Sequence, residues 1–526
     1  MSFEPLDLTQ IAAIAGGKLF GAGAKPVTIT EVGLDSTQLP EGALFAALPG
    51  TRSHGARYAN NTKAAAVLTD AEGKAILDAS SGGAAVPVIV VDQVRKVLGK
   101  VAAAVYGNPS AKLKVIGITG TSGKTTTSYL LEKGLLAAGK QVGLIGTTGT
   151  RINGRPVPTK LTTPEAPTLQ ALFATMLAEG VTHVVMEVSS HALSLGRVDG
   201  TEFSVGGFSN LSQDHLDFHS TMEDYFQAKA CLFAPDSPLR AQAQVIMVDD
   251  QWGQKMAHLA GPSAITVGTN PPQNQNQDEK PDFFTHDVRV EPSGSQHFQL
   301  TNGLTTKQVS LQLPGAFNVA NAALAIALAA QLDSVDLDRF LEGISHAQVP
   351  GRMERIDVGQ DFLAVVDYAH KPAAVAAVLD SVRAQTEGRI AVVVGAGGDR
   401  DSTKRPIMGA EAARRAQLVV VTDDNPRSED PAVIRSQVLE GARGQEQAAA
   451  DEAAEIVEIA EIADRAEAIR FAVQWASAGD AVVIAGKGHE VGQQVGDTVH
   501  HFDDREQLTQ ALQERALQER GGEGQA

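Results

Sequence analysis

The sequence predicts an α/β protein of three domains: a small N-terminal α/β domain, a central domain with a mostly parallel sheet, and a C-terminal Rossmann-like domain. Three observations predict it. The chain has 526 residues, and a prior of about 150 residues per domain gives roughly three. Short valine- and isoleucine-rich runs alternate with helical stretches, as in parallel strands covered on both faces. Proline-bearing polar segments interrupt that alternation at residues 108–113 and 348–354. The domains are therefore expected at residues 1–112, 113–349 and 350–526.

In order along the chain, residues 8–15 read as a helix, and 42–48 and 86–91 as strands. Pro109 should break regular structure in the linker at 108–113. Buried-type apolar runs follow at 115–118, 142–145, 184–188, 205–208 and 245–248, with a helix over 128–138 after the first. Ser220-Thr-Met-Glu223 has the spacing of a capping box, so a helix should start there and run through Phe233. The polar, proline-rich stretch 270–281 reads as a surface insertion without chemistry. In the last domain the runs at 362–366, 390–394, 418–421 and 481–484 predict a second doubly wound sheet. The tail from Gly521 reads as disordered.

Net charge is −18, from 44 basic and 62 acidic residues, which argues against a general nucleic-acid binder but leaves room for a local basic pocket. One cysteine, Cys231, allows no intrachain disulfide and suits a reducing compartment. The N-terminus lacks a basic region followed by an apolar core, and the longest apolar run, 322–330, is too short for a bilayer. The expectation is a cytoplasmic protein without a membrane span.

Gly117-Ile-Thr-Gly-Thr-Ser-Gly-Lys-Thr-Thr-Thr127 carries the clearest chemistry. A glycine-rich turn between a strand and a helix points backbone N–H groups at one spot, and the helix dipole adds to that field. Lys124 can reach terminal phosphate oxygens and the Thr125 hydroxyl can ligate Mg²⁺. The reading is a nucleoside triphosphate site. The generic P-loop has four residues between its first glycine and the Gly-Lys pair, whereas here Gly120 leaves only Thr121 and Ser122 before Gly123.

Other candidates sit at strand ends, where open α/β sheets bind ligands. Glu187 ends an apolar strand and needs either a metal ion or a buried basic partner. Asp214, His215, Asp217 and His219 follow another strand as possible ligands or as a solvated loop. Tyr225, Lys229 and Phe233 share a helix face; Lys229 is either a snorkelling lysine or one with a depressed pKa able to react with carbon dioxide. Three more strand ends offer Arg400, then Asn425 and Arg427, then Glu490. Two guanidiniums, an amide and a carboxylate suit a small zwitterion with an extra carboxylate.

These segments, in this order and spacing, resemble the Mur ligase family over nearly the whole chain, beginning with the short Thr-Gly-Thr-Ser-Gly-Lys-Thr loop. The family makes bacterial cell-wall peptides. The resemblance implies a first domain that grips a uridine nucleotide, a central ATP domain and a last domain that carries the incoming amino acid. ATP would be held by Gly120, Thr121, Ser122, Gly123, Lys124, Thr125, Thr126, Asn318, Arg352 and Asp367. Ser36, in Asp35-Ser36-Thr37, with Thr162, Thr163, Ser189 and Arg197 would contact the UDP-sugar-peptide; Leu195 stands where some relatives carry a glutamine contact. The resemblance gives one Mg²⁺ to Thr125 and Glu187, and a second to His215 and a carbamylated Lys229. Asp424-Asn-Pro-Arg427 is similar to the segment of members that add meso-diaminopimelate to a UDP-muramoyl dipeptide, with Arg400, Gly486 and Glu490 as further contacts. Lysine-adding members lack that arginine, and an arginine facing lysine's distal ammonium would be repelled. Lys124, Lys229, His215 and Arg352 are the expected catalytic groups of a monomeric enzyme. The rivals are the lysine-adding member, a folate polyglutamate ligase and a nucleotide-binding regulatory protein without chemistry.

Overall fold

A computed structural model of the chain describes residues 4–21, 26–50, 52–80, 84, 86–159, 161–215, 218–269, 280–291, 294–451 and 457–523. Among the described residues, three large sheets follow one another along the chain. The first has the spatial order Lys18–Phe20, Val88–Val90, Ala66–Thr69, Ala43–Ala46 and Glu31–Gly33. The helix Leu8–Ala15 packs on it through Leu8 and Ile11.

The central sheet is built around Lys114–Thr119, flanked by His183–Glu187 and Val205–Phe208, all parallel. Parallel pairing extends to Val142–Gly146 on one side, and through Ala243–Met247 and Ile265–Gly268 to Phe283–Val290 on the other. Antiparallel strands close both ends: Gly149–Ile152 and Arg155–Val157 at one, Gln296–Thr301 and Thr306–Leu311 at the other. Alternate side chains of each strand enter opposite cores. Ile116, Ile118 and Val185 meet helices Lys124–Ala137 and Ala316–Ala329, whereas Val115, Val184 and Met186 meet Ala166–Ala178 and Met222–Ala230.

The last sheet runs Glu354–Arg355, Leu363–Asp367, Ala481–Ala485, Ile390–Val394, Leu418–Val421 and Glu458–Glu461, parallel except for its first strand. Helices Pro372–Arg383 and Lys404–Ala413 cover one face, and Arg465–Trp475 and Asp504–Glu523 the other.

Several local expectations are corrected. The helix after the first central strand starts at Lys124 rather than 128, because Gly123 ends the turn and the threonines continue directly into helical geometry. The later helix starts at Met222 with Thr221 as its cap, accepting from the Asp224 amide at 3.0 Å, so Ser220 and Glu223 form no capping box. That helix ends at Ala230, which leaves Phe233 beyond it. Pro109 opens a short 3₁₀ turn, Pro109–Lys112, since its missing N–H costs nothing at a first helical position. Residues 521–523 continue the last helix, carried on by good helix formers before them. The expected insertion at 270–279 and Asp217 lie outside the described residues.

Candidate active site

The phosphate-binding loop is positioned by the buried strand Lys114–Thr119 and the helix Lys124–Ala137. Gly123 has φ 86°, and a Cβ there would stand 2.2 Å from Asn321 Oδ1, so no other residue fits this turn. Asn210 braces the loop: its Oδ1 accepts from the Ser122 amide at 2.9 Å, and its Nδ2 donates to Ser122 O at 3.1 Å. Lys124 Nζ folds back onto Gly120 O at 2.9 Å and Thr121 O at 3.0 Å. Burial pushes it down to about 8, with the neighbouring Lys371 and Arg352 charges acting in the same direction against Glu187 and Asp214.

Lys229 is 1% exposed and donates to the same Gly120 carbonyl at 2.8 Å, while its ammonium sits 4.4 Å from the Tyr225 ring centre. Of the two readings of this lysine, the buried one holds. Burial first, then the Lys124 and Lys371 charges, hold it well below the usual lysine range. Two amines, the half-buried Lys124 and the buried Lys229, therefore share one carbonyl oxygen. Tyr225 ties the helix to the loop through Thr121 Oγ1 at 3.2 Å.

Glu187, 1% exposed, ends the adjacent strand. Its Oε1 accepts from the Thr147 amide at 2.9 Å and its Oε2 from the Thr147 hydroxyl at 3.0 Å. Thr147, not a bonded lysine or arginine among the described residues, holds this acid. Thr162 Oγ1 lies 3.2 Å from Thr147 Oγ1. Thr163 Oγ1 donates to Glu187 O at 2.8 Å and accepts from the Ser189 amide at 3.1 Å. Ser189 in turn caps the short helix Ser190–Ser194, which Leu195 ends. Arg197 Nε pairs with Glu165 Oε1 at 2.8 Å. Ser36 lies half-buried in the first domain, in a turn where Asp35 Oδ1 accepts from the Thr37 amide at 3.0 Å.

Around the strand end at 208, Asp214 and His219 are held by neighbouring side chains, whereas His215 and Phe218 reach solvent. Asp214 Oδ2 contacts Lys371 Nζ at 2.6 Å and His215 Nε2 at 3.1 Å. Desolvation, with the Lys371 and Lys124 charges, pushes His215 down against Asp214, and the shorter contact of Asp214, to Lys371, is the ion pair. His219 is buried, with Nε2 at 2.9 Å from Ser190 Oγ and its ring stacked on Tyr225.

Arg352 enters from the third domain. Its Nη2 donates to Thr125 Oγ1 at 3.4 Å, its guanidinium lies 4.3 Å from the Tyr368 ring centre, and its buried Nε has no hydrogen-bond partner among the described residues. Asp367 accepts from the Met353 amide at 2.7 Å, and burial pushes its carboxyl up. Asn318 is buried beside the loop, bonded to Pro314 O at 2.7 Å and to Asn321 Nδ2 at 3.0 Å.

A second cluster forms at the strand ends of the last sheet. Asn425 does not offer a free amide: its Nδ2 donates to Glu490 Oε2 at 3.0 Å, and its Oδ1 accepts from Lys487 Nζ at 3.0 Å and the Gln494 amide at 2.9 Å. Lys487 is fully buried, 3.7 Å from both Asp424 and Glu490. Burial and the Asp424 charge push Glu490 up, against Lys487. A Cβ on Gly486 would lie 2.6 Å from Asp424 Oδ2, so this turn closes directly over that acid. Arg427 is half-buried, and its Nη1 donates to Gly398 O at 2.6 Å. Arg400 is exposed and stands outside this bonded cluster.

Asn210, Thr147, Lys371 and Lys487 were not singled out by sequence reasoning. Asn210 and Lys487 each follow a strand end, which was the available signal.

The Thr125 hydroxyl and the Glu187 carboxylate are the hard oxygen donors Mg²⁺ takes, and Glu187 has no bonded cation among the described residues, so this donor set fits the ion. Among the described residues no group of three or more His, Cys, Asp or Glu side chains forms a metal cage.

A loop built for polyphosphate, faced by an arginine from a neighbouring domain that carries its own polar pocket, defines a nucleotide-dependent ligase class. The chain belongs to the Mur ligase family. The Mur ligase middle domain matches residues 118–329, the Mur ligase glutamate ligase domain residues 351–488, and the Mur ligase family catalytic domain residues 28–106. The chain is 60% identical over 97% of its length, and 98% of the relative's, to the UDP-N-acetylmuramoyl-L-alanyl-D-glutamate–2,6-diaminopimelate ligase of Corynebacterium glutamicum. The ligase of the same name from Streptomyces avermitilis is 45% identical, with 97% of each chain covered. A solved structure of a ligase of that name aligns with TM-score 0.65 at 31% identity, covering 98% of this chain and 100% of the other. A folylpolyglutamate synthase from Mycobacterium tuberculosis, 18% identical with TM-score 0.58 over 73% of this chain and 91% of its own, shares the fold alone.

Proposed function

We infer that this chain is an ATP-dependent acid–amino-acid ligase of peptidoglycan precursor synthesis. It joins meso-diaminopimelate to the γ-carboxyl of D-glutamate in UDP-N-acetylmuramoyl-L-alanyl-D-glutamate, with release of ADP and phosphate. The observation that carries this reading is the reach of Arg352 to Thr125 Oγ1 at 3.4 Å, which sets the phosphate loop and the last domain on one cleft.

The D-glutamate γ-carboxylate attacks the γ-phosphorus of ATP, and the bond to the bridging oxygen breaks as ADP takes the electron pair. An amine of diaminopimelate then attacks the acyl carbon; phosphate leaves, and the nitrogen loses a proton. Lys124 leaves the Gly120 and Thr121 carbonyls to meet the phosphoryl oxygens, beside the amides of residues 121–126. Arg352 adds a second cation and its unpartnered Nε. Asn318 and Asp367 hold the adenine and ribose ends. Ser36, Thr162, Thr163, Ser189 and Arg197 hold the UDP-sugar-peptide. Arg427, with Arg400 from the exposed rim, would meet the distal carboxylate of diaminopimelate, while Asp424, Gly486 and Glu490, braced by Asn425, would take its ammonium end. Lysine has no distal carboxylate, so it leaves Arg427 unpaired.

Thr125 and Glu187 would hold one Mg²⁺, and His215 and Lys229 a second, and the ions would supply positive charge against the phosphates. Lys229 takes that role as a carbamate: its neutral amine attacks carbon dioxide, forms an N–C bond and releases a proton. The shared Gly120 carbonyl and the depressed basicity of Lys229 support this. The reading also takes residues 1–112, 113–349 and 350–526 as the three domains of a cytoplasmic monomer. No helix among the described residues is long and apolar enough to cross a membrane.

The test is a ligation assay with ATP, the UDP-muramoyl dipeptide, and meso-diaminopimelate, lysine and glutamate in competition. Phosphate release is expected only when nucleotide, dipeptide and meso-diaminopimelate are all present. Release that ignores the amino acid, or that prefers lysine, overturns the assignment.

A further inference from the structure

Arg427 has φ 52°, a left-handed backbone that a residue with a Cβ rarely adopts. What holds it there is a two-stranded hairpin, Gly492–Val495 with Thr498–His501, which forms a sheet of its own. The Arg427 N–H donates to Gln494 O at 3.0 Å, and its carbonyl accepts from the Gly496 N–H at 2.7 Å. Arg427 and Val495 thus form an isolated parallel bridge. One residue pair upstream, the Gln494 N–H donates to Asn425 Oδ1 at 2.9 Å. The hairpin starts just after Glu490 and ends just before Asp504, whose carboxylate is locked by two 2.7 Å bonds from buried Arg465. Its roots are fixed; its outer face is exposed, Val499 at 66%.

An isolated two-stranded hairpin is marginal in water. Here one edge is occupied by residues 425–427, so each segment orders the other. With its backbone fixed, Arg427 also fixes its guanidinium, which donates to Gly398 O at 2.6 Å on the opposite wall. We propose that the hairpin of residues 492–501 is the element that sets amino-acid selectivity: by clamping Arg427 in the left-handed conformation it aims the guanidinium at the distal carboxylate of the incoming amino acid. This rests on the reading that Arg427 meets that carboxylate. Freed of the clamp, the residue relaxes to an ordinary backbone conformation and its side chain swings off the pocket.

Gly496 offers a clean probe. Its φ is 57°, and a Cβ there meets nothing within 4 Å. Asparagine tolerates that conformation and keeps the N–H; proline forbids it and has no N–H. Gly496→Asn is expected to keep the kcat/KM preference for meso-diaminopimelate over lysine within about twofold, whereas Gly496→Pro lowers it about tenfold or more with the KM for ATP unchanged. In the unsubstituted protein, exchange of the Gln494 and Gly496 amides should slow about tenfold when meso-diaminopimelate is added with ADP and the UDP-muramoyl dipeptide. An unchanged preference in a folded Gly496→Pro protein overturns the clamp. If that variant does not fold, amide exchange indifferent to meso-diaminopimelate overturns it. Failure of the underlying reading is separate, because Arg427→Ala would then leave the preference for meso-diaminopimelate over lysine unchanged.

Discussion

The phosphate loop and the amino-acid pocket are built on opposite plans. At the loop, side chains bond to backbone: Lys124 and Lys229 to the Gly120 carbonyl, and Glu187 to the Thr147 amide. Their places are set by strands and helices of the central core. In the pocket, beside backbone bonds from Gln494 and to Gly398, the network is mostly side chain to side chain: Asn425 to Lys487 and Glu490, and Glu490 to Tyr368. Backbone-bonded groups are fixed by the fold and can serve any member of a family. A side-chain network is reset by a single substitution, which suits the part of the molecule that must choose among amino acids.

This contrast makes graded predictions. Lys229→Ala should strike hardest, lowering phosphate release by about a thousandfold or more while the thermal transition stays close to that of the unsubstituted protein. Bicarbonate should not restore it; a short carboxylic acid, supplying the missing anionic oxygen, should do so in part. Near-normal release would remove Lys229 from the chemistry. Arg427→Ala should raise the KM for meso-diaminopimelate about ten- to a hundredfold, the worth of a charged hydrogen-bonded pair, and leave the KM for ATP within about twofold. Equal effects on both would dissolve the division of labour between the regions.

Lys487→Met should act in the pocket alone. It strips Asn425 of a bond and leaves Asp424 and Glu490 without their buried cation, so the KM for meso-diaminopimelate should rise by about tenfold. Loss of ATP binding instead would mean that the pocket and loop are one unit.

The smallest effect lies at the root of the strand that carries Glu187. Burial, with the Lys140 and Lys114 charges, pushes His183 down to about 4 from 6.5. The unfolded chain takes up this proton between those values and the folded chain does not. Stability is therefore lost as pH falls from about 6.5 to about 4, by about 1–3 kcal/mol. His183→Gln should flatten that fall in urea titrations at pH 7 and pH 4.5 without altering turnover. An unchanged slope would assign the acid sensitivity elsewhere.

The parallel strands were legible because strands buried on both faces are continuous apolar runs, as Ile390–Val394 is. Phe283–Val290, Gln296–Thr301 and Thr306–Leu311 were not read, because each mixes polar residues into a half-exposed edge. Glu458–Glu461 hid for the same reason. In the site, the glycine-lysine loop announced itself by spacing, whereas Lys229 and Lys487 did not. A buried lysine is written with the same letter as a surface one, and only tertiary packing tells them apart.

The ion pair between Lys371 and Asp214 crosses the seam between the last two domains, with both side chains 13% exposed. Parting them costs attraction but returns two charges to water, and those terms nearly cancel for poorly hydrated pairs. The pair is therefore a contact between the two domains that can be broken at modest cost. Phosphate charge entering the cleft would compete with Asp214 for the same lysine, which ties nucleotide binding to the contact between the two halves.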